Sequence, residues 1–247
     1  MSTRLAWVSG GTGALGTAIC RSLVDQGRTV LAFGHPAEAE KMQAWQAANA
    51  EAGYDIAFVL ADLSTPQGAE AAVAEARSLS GDPQILVNAA GITRDASLRK
   101  LSWEDWKAVM AANLDSVYLL TRAVLDQMLA AGFGRIVNIS SVNGQKGQFG
   151  QTNYAAAKAG MHGFTMSLAQ EVARKGITVN TVSPGYIDSP MIRRVPEAVR
   201  EGIREGIPVG RFGQPEDIAR AVAFLTEDAA GYITGTDLSV NGGLHMG

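Results

Sequence analysis

Leu5-Ala6-Trp7-Val8-Ser9-Gly10-Gly11-Thr12-Gly13-Ala14-Leu15-Gly16-Thr17 is the stretch on which the reading of the whole chain turns. Residues 5–9 are apolar up to a closing serine, as a short strand buried on both faces requires. The glycine-rich run follows at once and opens into a helical pattern over residues 17–26. Within it, Gly11-Thr12-Gly13-Ala14-Leu15-Gly16 fits G-x-G-x-x-G in the strand, turn and helix context that a dinucleotide-binding turn needs. Absent side chains let the backbone approach a pyrophosphate, and the helix N-terminus supplies free N–H donors. A merely flexible turn does not account for four glycines between a strand and a helix.

Working outward, β-like runs recur at residues 29–33, 56–60, 85–88, 135–139, 177–182 and 237–240, with helical stretches between most of them. Strand and helix signals alternate through all 247 residues without a linker or an internal repeat. The pattern predicts a single-domain α/β fold over residues 1–247: a Rossmann-like, doubly wound parallel sheet with helices on both faces. Ligands then bind at the carboxyl ends of the strands, where Ser9, Asp62, Asn88, Ser140, Ser141, Ser183 and Pro184 fall. Hydrophobic residues make up 47% of the chain and aromatics only 6%, so Ala, Val, Leu and Ile must build most of the core. The Ala-rich tract at residues 69–76 reads as helix.

The same composition narrows the function classes. A net charge of −3 gives no electrostatic reason to expect binding to nucleic acid or to an anionic membrane. Cys20 is the one cysteine, which excludes an intrachain disulfide and a cysteine metal cage; in the first helix it reads as a small core residue. His35, His162 and His245 have no metal-ligand spacing, so no metal site is expected. Met1-Ser2-Thr3-Arg4 runs straight into the first strand with no room for a signal peptide, and no apolar run approaches membrane-spanning length. A cytoplasmic location is the expectation.

Chemistry enters with Tyr154 and Lys158, four residues apart, and with Ser141 thirteen residues before the tyrosine. An i,i+4 pair shares a helix face, so an ammonium there would favour the phenolate and make Tyr154 a proton donor near neutral pH. Tyrosine and lysine at this spacing also occur on solvated helix faces, and the pair alone does not choose between the two readings.

The ordered set of the glycine turn, Asn88-Ala89-Ala90-Gly91, Asn113, Ser141, Tyr154, Lys158, Pro184-Gly185 and Asn241-Gly242-Gly243 resembles the short-chain dehydrogenase/reductases over the whole chain. Residues 134–151 and the end Gly242-Gly243-Leu244-His245-Met246-Gly247 resemble the acetoacetyl-CoA reductases of bacterial polyhydroxybutyrate synthesis. That resemblance implies reduction of a 3-oxoacyl thioester to the (R)-3-hydroxyacyl thioester. It implies that Ser141 donates a hydrogen bond to the carbonyl oxygen, Tyr154 gives the proton, Lys158 lowers the tyrosine pKa and binds the nicotinamide ribose, and Asn113 holds a relay water. As a residue by itself, Asn113 reads equally as a helix kink or a buried polar cap.

Cofactor contacts implied in the same way fall on Gly10, Gly11, Thr12, Gly13, Leu15, Gly34, Asp62, Leu63, Asn88, Ala89, Ala90, Gly91, Tyr154, Lys158, Pro184, Gly185 and Ile187. Asp62 alone reads equally as a cap of the next helix, through itself or Ser64. Ala14 and Ala89 depart from the family's usual glycine and asparagine, so a slightly altered turn is expected. Substrate contacts are implied for Asp95, Ser141, Gln148, Phe149, Gln151 and Tyr186, with residues 186–208, rich in charge and proline, as a lid. The choice between NADPH and NADH stays open: resemblance favours NADPH, while Glu38 and Glu40 favour NADH or dual use. A homotetramer through the Tyr154 helix and the last strand is implied. Two other functions stay in view, an acyl-carrier-protein thioester reductase and a non-catalytic dinucleotide sensor.

Overall fold

The computed structural model describes residues 3–247, so Met1 and Ser2, on which part of the leader argument rests, lie outside the described residues. Seven strands, β1 (Leu5–Ser9), β2 (Thr29–Gly34), β3 (Ile56–Leu60), β4 (Ile85–Asn88), β5 (Gly134–Ile139), β6 (Ile177–Pro184) and β7 (Asp237–Val240), form one sheet in the order β3-β2-β1-β4-β5-β6-β7. All six pairings are parallel, and each expected strand is present, β2, β5 and β6 extending one or two residues further. The order reverses between β1 and β4. A crevice opens there, and the glycine turn sits in it.

Period-two alternation in β1 splits the core. Leu5 and Trp7 pack on one face with helices α3 (Pro66–Ser80), α5 (Ser116–Ala131) and α7 (Thr152–Val172). Ala6 and Val8 pack on the other with α1 (Ala14–Asp25), α2 (Ala39–Glu51) and α10 (Pro215–Leu225). Cys20 is one of the buried residues of that second core, where burial pushes its thiol up to about 12, as an inert core residue requires. The remaining helices, α4 (Trp103–Met110), α6 (Val142–Lys146), α8 (Pro190–Arg193) and α9 (Glu197–Glu205), lie in the connections.

The expectation that no apolar run approaches membrane-spanning length is corrected by α4 and α5. Together they form one continuous helix, Trp103–Ala131, of 29 residues, in which an 18-residue window is apolar enough to cross a membrane by length and composition. Its apolar face, including Leu120, Val124 and Met128, packs in the core against the sheet instead.

The turn after β1 leaves no space at its glycines. Gly10 has φ +64°, and a Cβ there would meet the Ala89 carbonyl and the Ala90 backbone at 2.8 Å. A Cβ on Gly16 would stand 2.1 Å from the Gly10 carbonyl oxygen and 2.6 Å from the Gly11 Cα. Gly16→Ala is therefore expected to push α1 off the turn and lower stability by about 1–3 kcal/mol, seen as a lower urea midpoint at unchanged m. An unchanged midpoint would show that the turn yields freely.

Candidate active site

Ser141 follows β5 and caps α6, its Oγ accepting from the Asn143 N–H at 3.1 Å. Ser140 Oγ donates to the Lys158 carbonyl at 2.9 Å, and Gly144 lets α6 rest against Lys158 and Ala159 of α7. Asn153 fixes the start of α7, accepting from the Tyr154 N–H (2.8 Å) and donating to the Arg94 carbonyl (3.0 Å). These contacts bring Tyr154 near Ser141, whose hydroxyl lowers the pKa of the phenol. The two candidates separated by thirteen residues of chain thus share one cleft at the carboxyl end of β5.

The expected depression of the Tyr154 pKa is not produced by this arrangement. Burial is the largest influence and holds the phenol above its ordinary value, the Ser141 hydrogen bond pulls it back, and Asp95 pushes it further up. Lys158 lies over the tyrosine ring, 5.6 Å from its centroid, and its Nζ donates to the Ile139 carbonyl at 2.8 Å. Burial pushes the ammonium down to about 7, so near neutrality Lys158 carries only part of a charge with which to stabilise a phenolate. Helical spacing put the two on one face, as read from the sequence, but that face is buried and desolvation outweighs attraction.

Asn113 satisfies one of its two sequence readings and leaves a loose end for the other. It lies in a π-helical turn, Ala111–Asp115, between α4 and α5, where its Nδ2 donates to the carbonyls of Ile92 (2.9 Å) and Val109 (2.8 Å). Its Oδ1 is buried without a partner. A Cβ on Gly91 would meet that oxygen at 2.4 Å and Lys158 Nζ at 3.5 Å, so Gly91, Asn113 and Lys158 converge on one spot. An acceptor and an amine held apart in this way suit a bridging water.

Asn88 and its neighbours build the wall beside the turn. Asn88 Nδ2 donates to Asn138 Oδ1 (2.8 Å), Asn138 Nδ2 to Thr165 Oγ1 (2.9 Å), and Thr181 to Thr165 (2.9 Å), a buried polar ladder from β4 through β5 and β6 to α7. Ser9 Oγ accepts from the N–H groups of Ala89 (3.1 Å) and Ala90 (3.2 Å) and binds the end of β4 to β1. The sequence reading missed Asn138, Asn153 and Thr165. A fully polar amide inside a buried strand was the one available signal, at Asn138.

The turn itself fits a dinucleotide. Gly13 is the N-cap of α1 and no side chain caps the helix, so the first N–H groups are left for another partner, while Gly13 itself is exposed. Gly34 lies beneath Thr12, whose Cγ2 is 3.1 Å from where a Cβ would be. Leu15 is partly buried, and Ile187 packs against Gly213 beyond the end of β6, past Pro184 and Gly185. Leu63 is in the core. The capping readings of Asp62 and Ser64 are corrected: Thr65 caps α3 by accepting from Gly68 N–H at 3.1 Å, while Asp62 accepts from the Ser64 hydroxyl (2.5 Å) and from the Ser64 N–H (3.0 Å), which hold its carboxyl below the usual range.

Among the implied substrate residues, Gln151 is central. It donates to Asp95 Oδ2 and accepts from Asn143 Nδ2, both at 2.9 Å, tying the two connections over the cleft. Gln148 is exposed and Tyr186 partly buried. Phe149, expected to cover the cleft, is 90% exposed and covers nothing in this conformation. Residues 186–208 hold α8 and α9, and α9 buries no residue.

The family model described as enoyl-(acyl carrier protein) reductase matches residues 11–245. The chain belongs to the short-chain dehydrogenase/reductase family. Among curated relatives, it is 54% identical to an acetoacetyl-CoA reductase of Allochromatium vinosum over 98% of this chain and 99% of that one. It is 48% identical to the acetoacetyl-CoA reductase of Cupriavidus necator over the whole of both. A 3-oxoacyl-[acyl-carrier-protein] reductase of Pseudomonas aeruginosa is 45% identical over 98% of each chain. In this chain Ser141 and Tyr154 come together at the carboxyl end of β5, with Lys158 buried beside them.

Proposed function

We propose that the protein reduces acetoacetyl-CoA to (R)-3-hydroxybutanoyl-CoA, with a reduced nicotinamide as the hydride source, and that it supplies polyhydroxybutyrate synthesis. The observation that carries the reading is the convergence of Ser141 and Tyr154 beside the buried Lys158, close enough for Ser141 to act on the phenol's pKa. In the cleft, both hydroxyls donate to the ketone oxygen as negative charge grows there. A phenol held above its ordinary pKa is protonated throughout the neutral range, the form a reductive proton donor needs. Its proton passes to an alkoxide, a far stronger base. Lys158 then stabilises the phenolate, and the unpaired Asn113 Oδ1 holds the water that returns a proton from solvent. Gln151, fixed by Asp95 and Asn143, orients the thioester arm, Gln148 and Tyr186 flank it, and Phe149 closes with residues 186–208 as a lid.

The CoA thioester is preferred over the carrier-protein thioester because several relatives at 46–54% identity are named acetoacetyl-CoA reductases. Docking of an acidic carrier also needs free basic surface. Phe133, near the base of β5, is instead sandwiched by Arg4 and Arg135, and Arg135 is committed to the Glu227 and Asp228 carbonyls. Initial rates on acetoacetyl-CoA and on an acetoacetyl carrier-protein thioester test this: kcat/KM is expected to favour the CoA thioester by at least about tenfold. The reverse ratio would assign the protein to fatty acid synthesis, and no reduction of either would leave a dinucleotide sensor.

The protein is proposed to act in the cytoplasm as a homotetramer. Ala156, Ala159 and Gly163 on α7 are exposed rather than packed within the chain, and β7 is an edge strand, so a second copy can approach both. Light scattering of the purified protein tests the assembly.

A further inference from the structure

Asp237 opens β7, and its carboxylate gathers side chains from three other elements. Ser183 Oγ of β6 donates to Oδ1 at 2.7 Å, and Gln145 Nε2 of α6 donates to Oδ2 at 2.7 Å. His162 Nε2 of α7 stands 3.5 Å from the same Oδ2 and 3.4 Å from Ser183 Oγ. Strand register explains the meeting. Asp237 pairs with Thr181 and Ser239 with Ser183, so these side chains share one face of the sheet, the face on which Thr181 reaches Thr165 of α7. Serine, histidine and aspartate are the residue types of a hydrolytic triad. Here Ser183 is fully buried and its shorter contact is to the carboxylate, not the imidazole, so no nucleophile is presented.

We infer that Asp237 is a positioning residue for the reduction, holding the Ser141 hydroxyl in place through Gln145. This deepens the reductase reading and rests on it for the role of Ser141. Helix α6 is a single turn, too short to hold its own shape, and Ser141 is its N-cap. Asn143 and Gly144 tie that turn to Gln151 and to α7, and Gln145, four residues after Ser141, adds the tie to the sheet. Its Nε2 also donates to Ser239 Oγ at 2.6 Å. Gln145 Oε1 is buried without a partner, so the pairing of Nε2 with the carboxylate is what orients the amide. The same carboxylate reaches the other elements that build the site. Ser183 immediately precedes Pro184 and Gly185, the expected cofactor contacts, and His162 follows Lys158 by one helical turn on α7. A carboxylate suits this hub because it accepts at both oxygens and its hydrogen bonds are charge-assisted. Without it, the Ser183 and Gln145 donors face each other and the far end of α6 is released. A donor displaced by about 1 Å from the developing oxyanion can cost up to about 10²-fold in rate.

Two readouts bear on Ser141, one through turnover and one without it. Gln145→Leu cuts α6 from the carboxylate while leaving Asp237 its Ser183 and His162 neighbours, and Asp237→Ala removes the hub. In each, kcat for acetoacetyl-CoA reduction is expected to fall at least about tenfold with KM within about threefold of the wild type. On a Ser141→Ala background the same substitutions are expected to cost less than about twofold further, because the hydroxyl they position is gone. Hydrogen exchange read by mass spectrometry is expected to quicken at least about tenfold over residues 141–147, where the Asn143, Gly144 and Gly147 N–H groups close α6, and to stay unchanged over residues 155–165 of α7. Should Asp237→Ala fail to fold, Gln145→Leu carries both readouts. An unchanged kcat, a full further loss on the Ser141→Ala background, or unchanged exchange over α6 overturns the inference and leaves reduction of acetoacetyl-CoA standing. A wild type that reduces neither thioester sinks the reductase reading instead. Exchange over α6 then decides the inference by itself: quickened, it upholds the tie from Asp237 to Ser141, and unchanged, it overturns it.

Discussion

Replacing Tyr154 by Phe is expected to lower kcat for acetoacetyl-CoA reduction by at least about 10³-fold, while dinucleotide affinity stays within about threefold of the wild type. The substitution removes one oxygen and little else. The ring keeps its packing at the start of α7 and its place 5.6 Å from Lys158 Nζ, and Asn153 still fixes the helix through the backbone N–H of residue 154. Ser141 keeps its cap on α6 and remains a hydrogen-bond donor to the ketone, so substrate binding is largely preserved. What disappears is the proton that must reach the developing alkoxide, in a cleft dry enough to hold the phenol above its ordinary pKa. Single-turnover hydride transfer, followed by loss of nicotinamide absorbance, separates the step from binding and release. A Tyr154→Phe protein with near-normal single-turnover rate would remove the phenol from the mechanism.

The placement of that phenol shows how much a sequence can convey here. The strands were legible because a parallel sheet covered on both faces demands short, largely apolar runs, and each was bounded on at least one side by glycine or a polar residue. The glycine turn was legible for a steric reason. At Gly10 and Gly16 the backbone approaches itself so closely that any other residue would collide, and that requirement is written as glycine. Other residues of the site carry no such signature. Asn153 and Thr165 matter through contacts with segments far away in the chain, Arg94 and Asn138, and no local pattern records those partners.

Environment was harder to read than position. The i,i+4 spacing placed Tyr154 and Lys158 on one face, but whether that face is wet or dry depends on α6 and on the end of β5, which close over it. The sign of the tyrosine shift follows from that closure. Glu38 and Glu40 were read together as charges set against a 2′-phosphate, but which of them reaches the glycine turn was not legible: the 3-10 turn carries Glu38 back to Thr12. Phe149 was read as cover from its apolarity, yet cover requires the loop to be closed, and the exposed ring shows an open one.

Lys158→Met should raise the stability of the protein at neutral pH relative to its value in the wild type's own pH profile, and abolish a slope in that profile. The lysine has a folded pKa of about 7 against an ordinary 10.5, so between those values the unfolded chain binds more protons than the folded one. Wild-type stability therefore rises as pH climbs from about 7, and the cost of burying the ammonium is present in full below that point. Methionine fills a similar volume without charge. It leaves the Ile139 carbonyl without its 2.8 Å donor, a loss of about 1–3 kcal/mol that offsets part of the gain. That offset does not vary with pH, so the slope decides. Cys20, with its thiol pushed up to about 12, lowers stability above pH 9, but it does so equally in both proteins and cancels in their difference. Urea unfolding between pH 6 and 10 should show the variant's advantage, on the order of a few kcal/mol at its greatest, shrinking as pH rises. Turnover should meanwhile fall by about 10²–10³-fold, since the phenolate left by Tyr154 loses the neighbouring Lys158 amine. Parallel stability profiles in the two proteins would mean that Lys158 is charged in the fold at neutral pH, and that attraction, not desolvation, governs the pair.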